Sequence, residues 1–72
     1  MNAREWIDRF AAELGTAPPT DAHVDALLAL AGVAAHASER TAAPITCWIA
    51  ATAGVSPDAA RQAAQRLAEG SE

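Results

Sequence analysis

The sequence predicts an all-α fold, a small four-helix bundle. Three observations lead there. Apolar residues recur three and four positions apart along most of the chain, which is the spacing of a helix face. Proline and glycine divide the chain into four segments, with breaks between Gly15 and Pro19, at Pro44, and between Gly54 and Pro57. No segment alternates apolar and polar residues as a half-buried strand does. At 72 residues the chain is expected to form one domain, residues 1–72. A domain of this size buries only about 60% of the surface its unfolded chain exposes. A binding site is therefore expected on the surface, at helix ends or between subunits.

The first helix is predicted over residues 2–14. Ala3, Trp6, Ile7, Phe10 and Leu14 share one face. Asn2 can cap it, and Glu5 three residues on completes a capping-box pattern. Arg4–Asp8, Glu5–Arg9 and Arg9–Glu13 stand at ion-pair spacing on the outer face. Gly15 supplies a left-handed stop, and "TAPPT" follows as a stiff connector. The second helix is predicted over 21–37, capped by Thr20 or Asp21. Val24, Leu27, Leu28, Ala31 and Ala35 form its stripe, while Leu30 and Val33 widen the apolar surface to a second side. A helix apolar on several sides is expected to be central. Gly32 inside it costs about 1 kcal/mol relative to alanine, and is expected to admit another backbone at close range.

The third helix is predicted over 44–53, because proline suits a first turn and biases the residue before it away from helix. Thr41 to Ala43 then form the cap region. Ile45, Trp48, Ile49 and Thr52 are expected to face inward. Gly54 closes the helix, with Val55 as the following hydrophobic contact. The fourth helix, over 57–69, has a clear start: Ser56 caps, Pro57 takes the first position and Asp58 sits at the positive end of the dipole. Ala60, Ala63, Ala64 and Leu67 make a narrow stripe. Gly70 ends the helix, and the final "SE" is expected to be loose.

Composition excludes several functions. Hydrophobic residues are 51% and charged residues 19%, the balance of a folded chain and not a disordered one. The aromatics are Trp6, Phe10 and Trp48, so the core must come mostly from Ala, Leu, Val and Ile. Such a core removes little apolar area per residue, which predicts modest stability or help from a partner. Both tryptophans are expected in the core; one left at the surface would mark an interaction patch. Net charge is −4, and the five basic residues are scattered arginines. A nucleic-acid partner needs a basic stripe, which is absent. The lone Cys47 excludes an internal disulfide and a multi-cysteine metal site. No phosphate loop, zinc-helix motif or calcium loop is present, so no metal and no cofactor are expected. "MNAREWIDRF" has no apolar core of a secretion signal. The longest apolar run, Ala26 to Ala35, is about half a membrane span. A cytoplasmic protein that does not enter a membrane is expected.

The candidate site is "AHASERTAAPIT", residues 35–46. A helix start offers unpaired backbone N–H groups, here expected near Ile45 and Thr46. Arg40 brings a planar fork of donors. His36 ends the preceding helix, and Thr41 and Thr46 add hydroxyls beside Pro44. His36, Arg40, Thr41, Pro44 and Thr46 would then form a small site for an anion or a partner's carboxylate. The competing reading makes this stretch a connector: Thr41 caps, Arg40 pairs with Glu39 or a helix end, and His36 bonds a carbonyl across the turn. Cys47 with His36 could act as a nucleophile pair, but a small buried hydrophobe explains Cys47 better. The balance is against an enzyme, and no catalytic residue is assigned. His23, between Asp21 and Asp25, reads as a solvated surface residue.

The stretches "EWIDRFAAELG" and "VDALLALAGVAAHASERTAAPITCWIAATAGVSPDAARQAAQRL" carry a resemblance over nearly the whole chain. Trp6, Ala35-His36, Arg40, Ala42-Ala43-Pro44, Thr46 and Gly54 match a recurring pattern. By these positions the chain resembles a family of small actinobacterial helical domains of unknown function (DUF6457-like). Members occur alone or fused behind a molybdenum cofactor guanylyltransferase. The chain departs from the pattern at Cys47-Trp48, where the family places Thr-Phe, and at Arg40-Thr41, where arginine–proline is common. The resemblance implies an accessory role in molybdenum cofactor biosynthesis, with the guanylyltransferase or another protein as partner. The residues themselves lead to a non-catalytic interaction module. The alternative is a structural homodimer built on the alanine-rich faces around Gly32, with no ligand.

Overall fold

The computed structural model describes residues 1–70. Residues 71 and 72, of which a loose tail was expected, lie outside the described residues. The fold is all-α, with α1 at Ala3–Leu14, α2 at Asp21–Ala37, α3 at Ala42–Thr52 and α4 at Pro57–Gly70. The helix ends have local causes. Asn2 Oδ1 accepts from the Glu5 amide at 2.8 Å, Thr20 Oγ1 from His23 at 3.1 Å, and Ser56 Oγ from Ala59 at 3.2 Å. Each bond satisfies an amide that the helix start leaves without an internal partner. Gly15 and Gly54 adopt φ of 74° and 71°. Behind them Thr16 N–H donates to Ala11 O at 2.9 Å and Val55 N–H to Ala50 O at 3.1 Å. These are the paired bonds of a Schellman end, which needs a left-handed residue at the turn.

Helix α2 is central, as its apolar breadth predicts: it packs on both α3 and α4. The N-terminal half of α2 lies beside Ser56 and Pro57, and its C-terminal end beside Ala64 and Leu67. So α4 runs parallel to α2. Helix α3 runs back between those ends, with Cys47 Sγ 3.9 Å from the Leu27 carbonyl. The innermost side chain is Leu30, 1% exposed, with Ala34 and Ala50 beside it in the buried set.

The inward side of α3 differs from the expected one. Ile45, Trp48 and Ile49 are exposed, and Ala50 is buried with Ala42, Ala43, Thr46 and Cys47 half-buried around it. The small residues recur at helical spacing, and they let α3 approach α2 closely. The bulky stripe is left on the opposite side. Gly32 does not serve the purpose expected of it either. A Cβ built there would meet nothing within 4 Å, so no neighbouring backbone depends on the glycine. Helices α3 and α4 cover only part of α2: Leu28, one turn before Gly32, stays exposed.

Helix α1 stands apart. Among the described residues it packs against none of the other helices. It is held instead at its start by Arg4. Nη2 donates to the Pro19 carbonyl and lies 3.0 Å from Asp8 Oδ1, while Nη1 lies 3.6 Å from Asp21 Oδ1. That last approach is an ion pair without hydrogen-bond geometry. The Arg4–Asp8 pair thus forms as the spacing predicts. Glu5–Arg9 and Arg9–Glu13 do not form ion pairs. The result is an elongated molecule, 41 × 24 × 18 Å, with α1 and its proline connector projecting as an arm.

Candidate functional site

The sequence points to the polar corner between α2 and α3. The chain crosses from Ser38 to Thr41 in a tight turn, where Ala42 N–H donates to Glu39 O at 2.9 Å and Ala43 N–H to Arg40 O at 3.1 Å. Helix α3 therefore begins at Ala42, two residues before Pro44. Pro44 still lies in the first turn, where a missing N–H is harmless. The shift changes the site. Ile45 and Thr46 are already inside the helix, where amides bond four residues back. The amides of Ala42 and Ala43 are taken by the turn, and Pro44 has none. The unpaired donors expected near Ile45 and Thr46 are thus not available to a ligand.

The side chains of the corner remain. His36 is exposed in the last turn of α2, and Arg40, Thr41 and Pro44 are exposed beyond it. Thr41 occupies the cap position but makes no side-chain cap bond. Arg40 takes no ion-pair partner among the described residues. Thr46 is separated from the other four. It is half-buried and lines an apolar hollow with Val33, Ala42, Ala64 and Leu67. The structure keeps His36, Arg40, Thr41 and Pro44 at one end of the molecule and turns Thr46 into the body.

Cys47 is half-buried, with its sulfur directed at the Leu27 carbonyl. Leu27 and His36 are nine residues apart on α2, about 13 Å at the helical rise. Cys47 and His36 therefore do not form a nucleophile–base pair. His23 is exposed, beside Ser56 and Pro57 where the starts of α2 and α4 meet. Among the described residues no three His, Cys, Asp or Glu side chains are grouped to hold a metal. No helix among them is long and apolar enough to cross a membrane.

The apolar surface is the more distinctive feature. Trp48 is 66% exposed and Trp6 59%, so neither tryptophan is in the core. Trp6 stacks on Phe10, ring centroids 6.1 Å apart and planes 11° from parallel. Leu14 continues that stripe along α1, and Ile45 flanks Trp48 on α3, all exposed. A second apolar feature lies between α3 and α4, which diverge over Leu30 and leave an open groove of about 370 Å³. Its walls are Ile49 and Ala53 on one side, Ala63 and Leu67 on the other. The sequence does carry a signal for this arrangement. Ala42, Ala43, Thr46, Cys47 and Ala50 form a small-residue stripe as regular as the bulky one on the opposite side of α3.

A family model described as a domain of unknown function (DUF6457) matches residues 1–72. The chain belongs to this family. No curated protein and no solved structure matches the chain.

Proposed function

We propose that this DUF6457 domain is a non-catalytic interaction module whose partner surface is the outer side of α3. The observation that carries the reading is Trp48, two-thirds exposed on a helix whose opposite side is packed on α2. Tryptophan is the residue most enriched at binding hot spots, and exposed apolar patches with a polar rim mark interaction sites. Ile45 and Trp48 supply the apolar centre. Arg40, Thr41, Pro44 and His36 lie at one end and supply the rim, where Arg40 would take a partner's carboxylate or phosphate. Thr46 has no part in this surface. The partner suggested by the resemblance is a molybdenum cofactor guanylyltransferase, which would place the domain in cofactor maturation.

Calorimetric titration of the domain into the purified guanylyltransferase tests both parts. Saturable binding is expected. Trp48→Glu should weaken it at least tenfold, a loss of about 1.4 kcal/mol or more, while the helical circular dichroism is kept. Arg40→Ala should weaken it less, as rim charges do. Absence of binding at high micromolar concentration removes the pathway assignment. Binding that Trp48→Glu leaves unchanged removes the α3 surface. Amide shifts at Arg40–Thr41 on titration with inorganic phosphate would make the rim an anion site in its own right.

A further inference from the structure

We infer that two copies of this chain exchange their α1 arms, each arm lying in the groove between α3 and α4 of the other copy. Ile49 borders both this groove and the Ile45–Trp48 stripe, but Trp6 and Ala63, on which the test turns, lie outside that stripe, so the inference is tested independently of the proposed partner.

A compact monomer of 7.4 kDa exposes about 4,200 Å² by the mass scaling of folded chains. This chain exposes 5351 Å², an excess of about 1,100 Å² over that scaling. Its radius of gyration is 13.0 Å, where a compact chain of this length has about 11 Å. A stable dimer of standard size buries about 800 Å² on each partner. The excess is large enough to supply that interface, because in an exchange each copy contributes both an arm and a groove.

Trp6, Phe10 and Leu14 recur every fourth residue and span about 12 Å of helix. The groove runs along α3 from Thr46 to Ala53 and along α4 from Ala60 to Leu67, about 10 Å on each side. The arm carries Trp6 and Phe10, two of the chain's three aromatic side chains, and half of the groove's lining over Leu30 is alanine. Large residues facing small ones is how helix surfaces interdigitate. An amphipathic helix laid in an apolar groove is a recurrent recognition mode. Among the described residues Arg66, next to Leu67 on α4, forms no ion pair, and neither do Glu5, Arg9 and Glu13 on the arm.

Arg4 binds Pro19 and approaches Asp21, and two prolines stiffen the connector. With these contacts made, α1 packs against neither α3 nor α4 of its own chain among the described residues. A second copy's groove can be filled with the arm as it stands, and two-fold exchange closes the assembly.

Sedimentation equilibrium of the full chain should give twice the chain mass at micromolar concentration, and Trp6→Glu and Ala63→Glu should each give monomers with helical circular dichroism kept. Mixing the two variants is decisive. The Ala63→Glu chain has an intact arm and the Trp6→Glu chain an intact groove, so a one-to-one heterodimer should form from two monomers. In a Trp48→Phe background, acrylamide quenching of Trp6 should fall at least threefold as dimer forms. A chain that stays monomeric with Trp6 quenched at all concentrations overturns the inference. A monomer with Trp6 protected shows that the arm folds into its own groove, and a dimer untouched by both variants shows another interface; either result also overturns it.

Discussion

Leu30 and Trp6 occupy opposite ends of this molecule's packing. Leu30, on α2, is closed in by α3 and α4, and Trp6, with more apolar surface to lose, lies in the open on an arm that packs against no other helix among the described residues. The two regions obey the same hydrophobic effect with different geometry. In the α2–α3–α4 unit, small side chains let backbones come close, so one leucine with a few alanines fills the interior. On α1 the large side chains have no opposing wall within this chain. Side-chain size thus did not decide burial here. The availability of a facing surface did, and it left the bulk of α1 and α3 outside.

Four substitutions probe this contrast. Leu30→Ala should have the largest effect, a loss of about 2–5 kcal/mol from lost transfer energy and the cavity left behind. Urea unfolding followed by circular dichroism would measure it, and a small loss would mean that Leu30 does not anchor the unit. Gly54→Ala comes next. A Cβ there has room, but φ of 71° costs a non-glycine residue about 1–2 kcal/mol. The melting temperature should fall by about 4–8 °C per kcal/mol in a domain this size. Arg4→Gln should cost below about 1 kcal/mol, since its pairs are substantially exposed. Its signature is faster amide exchange in residues 16–20, and the wild-type advantage should shrink in high salt. Trp48→Ala should be smallest, within about 0.5 kcal/mol for the dilute domain. A larger loss in the same urea measurement would show that the exposed tryptophan supports the fold.

Much of the fold is legible in the sequence, and the reason is visible at particular residues. Asn2, Thr20 and Ser56 each cap a helix through a bond to an amide three residues on. Gly15 and Gly54 end helices by bonds within six residues. Such interactions close inside one turn, so the pattern alone predicts them. The start of α3 was less legible, because Pro44 tolerates any position in a first turn and the preceding turn supplied carbonyls to Ala42 and Ala43. That two-residue shift is what removed the expected amide donors from the polar corner. Arg4 was legible as a partner of Asp8, but not as a tie to Pro19 and Asp21.

Sequence alone was enough for the number of helices, for most of their ends though not the start of α3, and for the central place of α2. These follow from caps, left-handed glycines and apolar periodicity, all of which act over a few residues. Only the tertiary structure decided which side of α3 faces inward, whether α1 docks, and where a groove opens. Helix α3 has a small-residue side and a bulky side of equal regularity, and its own residues do not choose between them. The choice came from α2, whose surface accepts a close backbone more readily than it accepts Trp48. Burial is a property of two surfaces meeting, and one strand of sequence carries only one of them at a time.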